Sequence, residues 1–132
     1  MDFKNQKPIY LQIAESICDN ILAGKYREEE KLPSVREFAA EAEVNVNTVA
    51  RSFEWLQNQD VVATRRGLGN YVNTGAREAV LQLRKKEFFE EQVPEFFRTM
   101  KALGVTLEQV VSSGKYALGI AVTILMQDGL LY

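Results

Sequence analysis

The chain has 132 residues, of which 46% are hydrophobic and 26% charged, a composition typical of a packed protein rather than a disordered one. It contains no histidine, which excludes histidine-based catalytic triads, HExxH zinc sites and imidazole acid–base chemistry. The formal net charge is −2, and residues 1–74 hold nine Lys and Arg against eleven Asp and Glu. Binding to nucleic acid would therefore require a locally arranged positive surface rather than bulk charge. The first ten residues lack the apolar segment of a signal peptide, which predicts a cytoplasmic protein.

The first predicted element is a helix of about four turns, for which Pro8 suits the first position. Isoleucine recurs at every fourth position over residues 9–21, which gives the helix one apolar stripe facing a core. Gly24 stands where a left-handed C-terminal cap would fall. The single cysteine, Cys18, has isoleucines as neighbours, so a buried thiol is expected rather than a reactive one.

Two short helices are predicted next, after a charged connector over residues 25–32. Ser34 and Glu37 have the spacing of a capping box at the start of the first one. After a tight turn, Asn45 is a favourable N-cap for the second helix. The apolar positions of this second helix have a 3-4-3 spacing: Val46, Val49, Phe53 and Leu56. Two short helices joined in this way, the second with a polar outer face, form the helix-turn-helix pattern.

The apolar period then changes to that of two short strands, residues 61–65 and 71–73. The five residues between them include two glycines and one asparagine, which supply the positive-φ positions of a hairpin. Three helices and a hairpin predict an α+β fold that is mainly α, a winged helix-turn-helix domain over residues 1–75. Residues 76–132 are expected to form a short helical dimerisation region.

Helical periodicity returns in this second part. A helix is expected from Ala76 to about Val93, with Pro94 starting a new turn or kinking the run and Gly104 capping its continuation. The nearly uncharged run over residues 116–126 is too short to cross a bilayer, for which ~20 apolar residues are needed. Its periodicity leaves open both a buried interface helix and a strand-like run.

Three linked segments resemble, in order and spacing, the winged-helix domain of GntR-family transcription regulators. They are LPSVREFA at residues 32–39, VNVNTVAR at residues 44–51 and RRGLGNYV at residues 65–72. The opening at residues 8–13 is also similar to that family's first helix. The short helical tail is similar to the YtrA-type branch, whose C-terminal helices chiefly form a dimer. Val46 departs from the arginine that many relatives have there, although the YtrA-like branch often has proline instead.

A recognition helix enters the major groove with its first turn towards the base edges. Asparagine there can pair with adenine, and threonine can contact a phosphate or a thymine methyl. Arg66 in the hairpin could enter a narrow minor groove where glycines let the backbone approach, whereas Arg65 could instead pair with a carboxylate of the body. For Arg36, the resemblance implies a contact to the DNA backbone or a base edge. The candidate DNA-binding residues are Ser34, Arg36, Asn45, Asn47, Thr48, Arg51, Arg65, Arg66, Gly67 and Gly69.

The leading hypothesis is a homodimeric, sequence-specific transcription regulator, with repression favoured, that reads an inverted repeat in double-stranded DNA. The residues expected at the dimer interface are Phe88, Phe89, Phe96, Phe97, Met100 and Leu103. A ligand pocket is the rival interpretation of the phenylalanines, and an effector between the dimer helices could change the spacing of the recognition helices. No cofactor or metal is indicated. The alternative function is a protein-interaction module without DNA binding, and an enzyme is disfavoured because no base or metal arrangement accompanies a nucleophile.

Overall fold

The computed structural model describes residues 6–129, apart from the side chains of residues 115–118, 121 and 122. These residues fall into two compact units, the first ending at Lys85 and the second beginning at Lys86. The elements in chain order are α1 (Ile9–Leu22), α2 (Val35–Ala42), α3 (Val46–Asn58), β1 (Val62–Arg65), β2 (Gly69–Val72), α4 (Ala76–Glu87), a π-helical turn (Phe88–Gln92), α5 (Val93–Leu103), α6 (Leu107–Ser113) and α7 (Lys115–Gln127). The predicted mixed fold, mainly helical with one small sheet, is confirmed. The functional division after residue 75 stays a prediction.

The core of the first unit is built by one face of each of its helices together with the hairpin. In α1 the predicted stripe is buried from Ile13 onward, but Ile9 is 59% exposed, so the stripe begins one turn later than expected. Pro8 precedes the helix instead of opening it, and its carbonyl accepts hydrogen bonds from the first turn. Gly24 has φ +81°, which confirms the predicted left-handed cap.

Cys18 lies in this core and is only 2% exposed, as expected for a buried thiol. Burial raises the pKa of the thiol to about 11, because the thiolate would lose its hydration. The nearby Arg84 guanidinium opposes this shift, whereas the carboxylates of Asp19 and Glu15 add to it. The thiol therefore stays protonated and unreactive at neutral pH.

We expect the free energy of unfolding to fall by about 2 kcal/mol more in the wild type than in Cys18→Ala between pH 9 and about pH 11. Below this window both the folded and the unfolded thiol keep their proton. Within it only the unfolded thiol ionises, so rising pH favours unfolding. Urea titrations of both proteins at stepped pH measure the difference, and parallel pH profiles would contradict the raised pKa.

The predicted hairpin is confirmed, with slightly different bounds. β1 pairs antiparallel with β2, Val62 lies opposite Val72, and Arg65 lies opposite Gly69, which leaves a loop of residues 66–68. We call residues 62–72 the wing. The charged connector also joins this sheet, because the Glu29 amide donates to the Val72 carbonyl and the Leu32 amide to the Asn70 carbonyl. This third, short segment was not predicted from the sequence.

All the secondary-structure elements in the described part of the second unit are helices. The helix predicted from Ala76 ends at Glu87, and the chain continues through the π-helical turn into α5. The irregularity lies just before Pro94, which has no amide proton to donate to the preceding turn. Gly104 has φ +67° and ends α5, as predicted. The sequence did not decide whether residues 116–126 form a helix or a strand. In the structure they are helical and belong to α7.

Within residues 6–129, no helix combines the length and the apolar character that crossing a bilayer requires.

Candidate nucleic-acid interface

Local caps fix the geometry of the turn between α2 and α3. The Ser34 hydroxyl accepts from the Glu37 amide at 3.1 Å, and the Glu37 carboxylate accepts from the Ser34 amide at 3.3 Å, which confirms the predicted capping box. Glu43 ends α2 in the left-handed region with φ 55°. Asn45 caps α3 as expected, since its Oδ1 accepts from the Asn47 amide at 2.8 Å. The two helices are therefore joined by a short, rigid turn.

The buried face of α3 anchors this helix in the first unit. Phe53 is buried and meets the Phe38 ring of α2 edge to face, with centroids 6.2 Å apart. The buried Ser52 hydroxyl donates to the Tyr10 carbonyl of α1 at 2.7 Å. Val46, by contrast, is 44% exposed, because the first turn of α3 projects from the core. The predicted apolar stripe of α3 is thus one turn shorter, and its opposite face is largely exposed.

That opposite face carries Asn47, Thr48 and Arg51, which we call the recognition face. Asn47 and Arg51 are exposed and Thr48 is half-buried. The Arg51 guanidinium lies over the Tyr10 ring, with Cζ 4.0 Å from the centroid. Stacking of this kind orients a guanidinium while its N–H groups stay available for phosphate or base edges. Asn45, at the start of the same helix, uses its side-chain oxygen for the cap and keeps its amide nitrogen for other partners.

Arg36 lies in the first turn of α2 and is exposed. Among residues 6–129 no salt bridge engages the guanidinium of Arg36 or of Arg66. Both side chains can therefore bind a phosphate without breaking an internal ion pair. Carboxylates are also exposed on this motif, at Glu41, Glu43 and Glu54, so the positive surface is local.

The wing presents its arginines in two different ways. Arg66 is exposed in the loop, beside Gly67, whose φ of +76° strongly favours glycine. A β-carbon at Gly67 would meet no atom within 4 Å, so the loop is open to an approaching ligand. The Arg65 guanidinium lies over the Tyr71 ring, 4.1 Å from its centroid. The sequence allowed a carboxylate as the partner of Arg65, but in the structure Arg65 contacts an aromatic ring instead.

A chain of hydrogen bonds connects the wing to the recognition helix. The Gln57 side-chain amide, near the end of α3, donates to the Thr64 hydroxyl of β1. The Thr64 hydroxyl donates in turn to Asn70 Oδ1 of β2 at 2.7 Å. These bonds connect both strands of the wing to the recognition helix.

The residues predicted at a dimer interface lie on the second unit. Met100 is half-buried, and the five others are 46–71% exposed: Phe88, Phe89, Phe96, Phe97 and Leu103. Neighbouring rings pack edge to face, with centroids 5.1 Å apart for Phe88 and Phe89. Their role in dimerisation stays a prediction.

The fold and the exposed polar face of α3 define a winged helix-turn-helix, the class of DNA-binding domain in which the second helix of the motif reads the major groove. Residues 9–72 match the family described as bacterial regulatory proteins, gntR family. The chain is 38% identical over 113 residues to the HTH-type transcriptional regulator YhcF of Bacillus subtilis strain 168, which covers 86% of this chain and 92% of that protein. It is 31% identical over 110 residues to the HTH-type transcriptional repressor YtrA of the same organism, which covers 83% of this chain and 84% of that protein.

A crystal structure of a GntR-family transcriptional regulator from Bacteroides thetaiotaomicron superposes with a TM-score of 0.71 and 45% identity, covering 84% of this chain and 96% of that one. The chain therefore belongs to the GntR family of transcription regulators, with a DNA-binding helix-turn-helix. Both the predicted family and the similarity to YtrA are confirmed. Because the family and these relatives are regulators, the expectation that the chain is not an enzyme is confirmed as well. The individual DNA contacts stay predictions.

Proposed function

We propose that the protein is a repressor that binds an inverted-repeat operator as a homodimer. The observation that carries this proposal is that α2 and α3 expose unpaired or stacked cations together with the open first turn of α3. Arg36 is exposed without an ion-pair partner among residues 6–129, and Arg51 stacks on Tyr10 beside Asn47. The relative YtrA is described as a repressor, which favours repression over activation. A protein-interaction module would not need this polar, cationic surface.

Each residue of the surface has a chemical role in this proposal. Asn47 reads an adenine, and Arg51 reaches a guanine or a phosphate. Arg36 and the Ser34 hydroxyl bind the DNA backbone, and the amides at the start of α3 favour a phosphate through the helix dipole. Arg66 enters the minor groove beside Gly67.

Dimerisation is proposed through the exposed apolar side chains of the second unit, with residues 76–132 as the dimerisation region. Exposed phenylalanine at the density seen around Phe88 and Phe96 marks an interaction surface in most proteins. Two recognition helices about 34 Å apart would read half-sites separated by one turn of DNA. A small molecule bound between the two dimerisation regions would regulate binding by changing this spacing. A bacterial regulator of this kind acts in the cytoplasm, where the chromosome lies.

Selection of bound sequences from a random pool of duplex DNA tests the proposed function. We expect an enriched inverted repeat whose half-sites are centred about one helical turn apart, and a complex with two protein chains per duplex. The logarithm of the binding constant should fall linearly with the logarithm of salt concentration. If all four candidate arginines of each protomer neutralise a phosphate, the slope reaches about −7. These arginines are Arg36, Arg51, Arg65 and Arg66. A pool that shows no enrichment would refute sequence-specific binding.

A further inference from the structure

The connector segment places a lysine on the wing. The backbone of Lys31 forms an antiparallel β-bridge with Tyr71 of β2. In the hairpin, Arg65 lies opposite Gly69. Side chains of directly opposed residues share one face of a sheet, and alternate residues along a strand also share it. Lys31, Tyr71 and Arg65 therefore lie on the same side. The other side carries Val62 and Val72, which are buried in the core, so these three residues form an outer wing face.

Gly69 accommodates the lysine on this face. A β-carbon at Gly69 would lie 3.2 Å from Cε and 3.9 Å from Nζ of Lys31, so the absence of a side chain leaves room for the lysine chain. Gly69 was expected to let the wing backbone approach DNA, but the structure shows that the space beside it holds Lys31. On the same face, the Arg65 guanidinium covers the Tyr71 ring.

The ammonium group of Lys31 is exposed, and no salt bridge or hydrogen bond engages it among residues 6–129. The neighbouring carboxylates have other donors. Glu30 accepts from the Arg27 amide at 2.8 Å, and Glu29 accepts from the Thr74 hydroxyl at 3.2 Å. Lys31 thus carries a positive charge that no ion pair engages among residues 6–129, on the same sheet face as Arg65.

We propose that Lys31 binds a backbone phosphate of the DNA, which makes the outer wing face a phosphate-binding surface in addition to the arginine at the tip of the wing. This inference rests on the proposed function. The contact adds affinity but carries no base preference, because an ammonium reaches phosphate oxygens as a point charge.

The test compares wild type, Lys31→Gln, Lys31→Arg and the control Lys25→Gln, which removes the same charge from an exposed position at the other end of the connector, outside the proposed dimerisation region. Fluorescence anisotropy with the selected duplex and with a random duplex of equal length gives Kd from about 50 to 200 mM salt. Lys31→Gln is expected to raise Kd about five- to tenfold on both duplexes and to reduce the salt slope by about 0.9 per bound protomer. Lys31→Arg should keep the wild-type slope, and so should Lys25→Gln.

The outcomes separate this contact from the proposed function. If the wild type binds the selected duplex and Lys31→Gln has the same salt slope, the contact is refuted and the function stands. If Lys25→Gln reduces the slope as much as Lys31→Gln, the effect is one of overall charge, and the contact is again refuted. If the wild type retains no duplex, the proposed function fails, and the contact fails with it.

Discussion

Replacing Arg36 with glutamate is expected to raise Kd for the selected operator about 100-fold or more. The guanidinium is proposed to donate charge-assisted hydrogen bonds to DNA, each of which contributes about 1.5–3 kcal/mol. A homodimer loses this contribution twice, and the new carboxylate repels phosphate. Since Arg36 is exposed and has no salt bridge among the described residues, the substitution should leave the thermal midpoint of unfolding almost unchanged.

Arg27→Glu is the matched control for this variant, because it makes the same charge reversal at another exposed arginine of the first unit, outside the proposed DNA-binding and dimerisation residues. We expect it to weaken binding only severalfold, through long-range repulsion that salt screens. Anisotropy titrations measure both variants, and circular dichroism verifies that each is folded. An Arg36→Glu protein that binds as tightly as the wild type would exclude this arginine from the interface.

Replacing Ile17 with alanine is expected to lower the free energy of unfolding by about 4 kcal/mol, within the range of buried isoleucine truncations. Ile17 is 1% exposed and packs in the centre of the core on α1. The substitution removes apolar contacts and leaves a cavity that the surrounding side chains fill only in part. A domain is commonly stable by about 5–15 kcal/mol, so this single change removes a large share of the total. Urea denaturation followed by far-ultraviolet circular dichroism measures the loss.

Ile9→Ala is the control, since it makes the same chemical change in the same helix at a position that is 59% exposed. We expect a change within about 0.5 kcal/mol, because little apolar area is lost and alanine favours the helix. Comparable losses for the two variants would mean that burial along α1 does not determine its contribution to stability.

Several features of this protein were predictable because each depends on residues within about four positions of one another. The Ser34 and Glu37 capping box, the Asn45 cap and the glycine cap at Gly24 all form between near neighbours, so their spacing determines them. The glycines between the strands likewise indicated the hairpin. The order of these local signals was enough to predict a winged helix-turn-helix, whereas the family was predicted from the resemblance of three segments to GntR-family regulators.

The sequence alone therefore determined the elements of the first unit, their order and the candidate recognition helix. Only the tertiary structure decided where each charged side chain lies, because those positions depend on contacts between distant segments. The pairing of Lys31 with Tyr71, the stacking of Arg51 on Tyr10 and the choice of an aromatic partner for Arg65 are of this kind. Apolar periodicity likewise could not show that the first turns of α1 and α3 project from the core, because burial depends on which other segments pack against a helix.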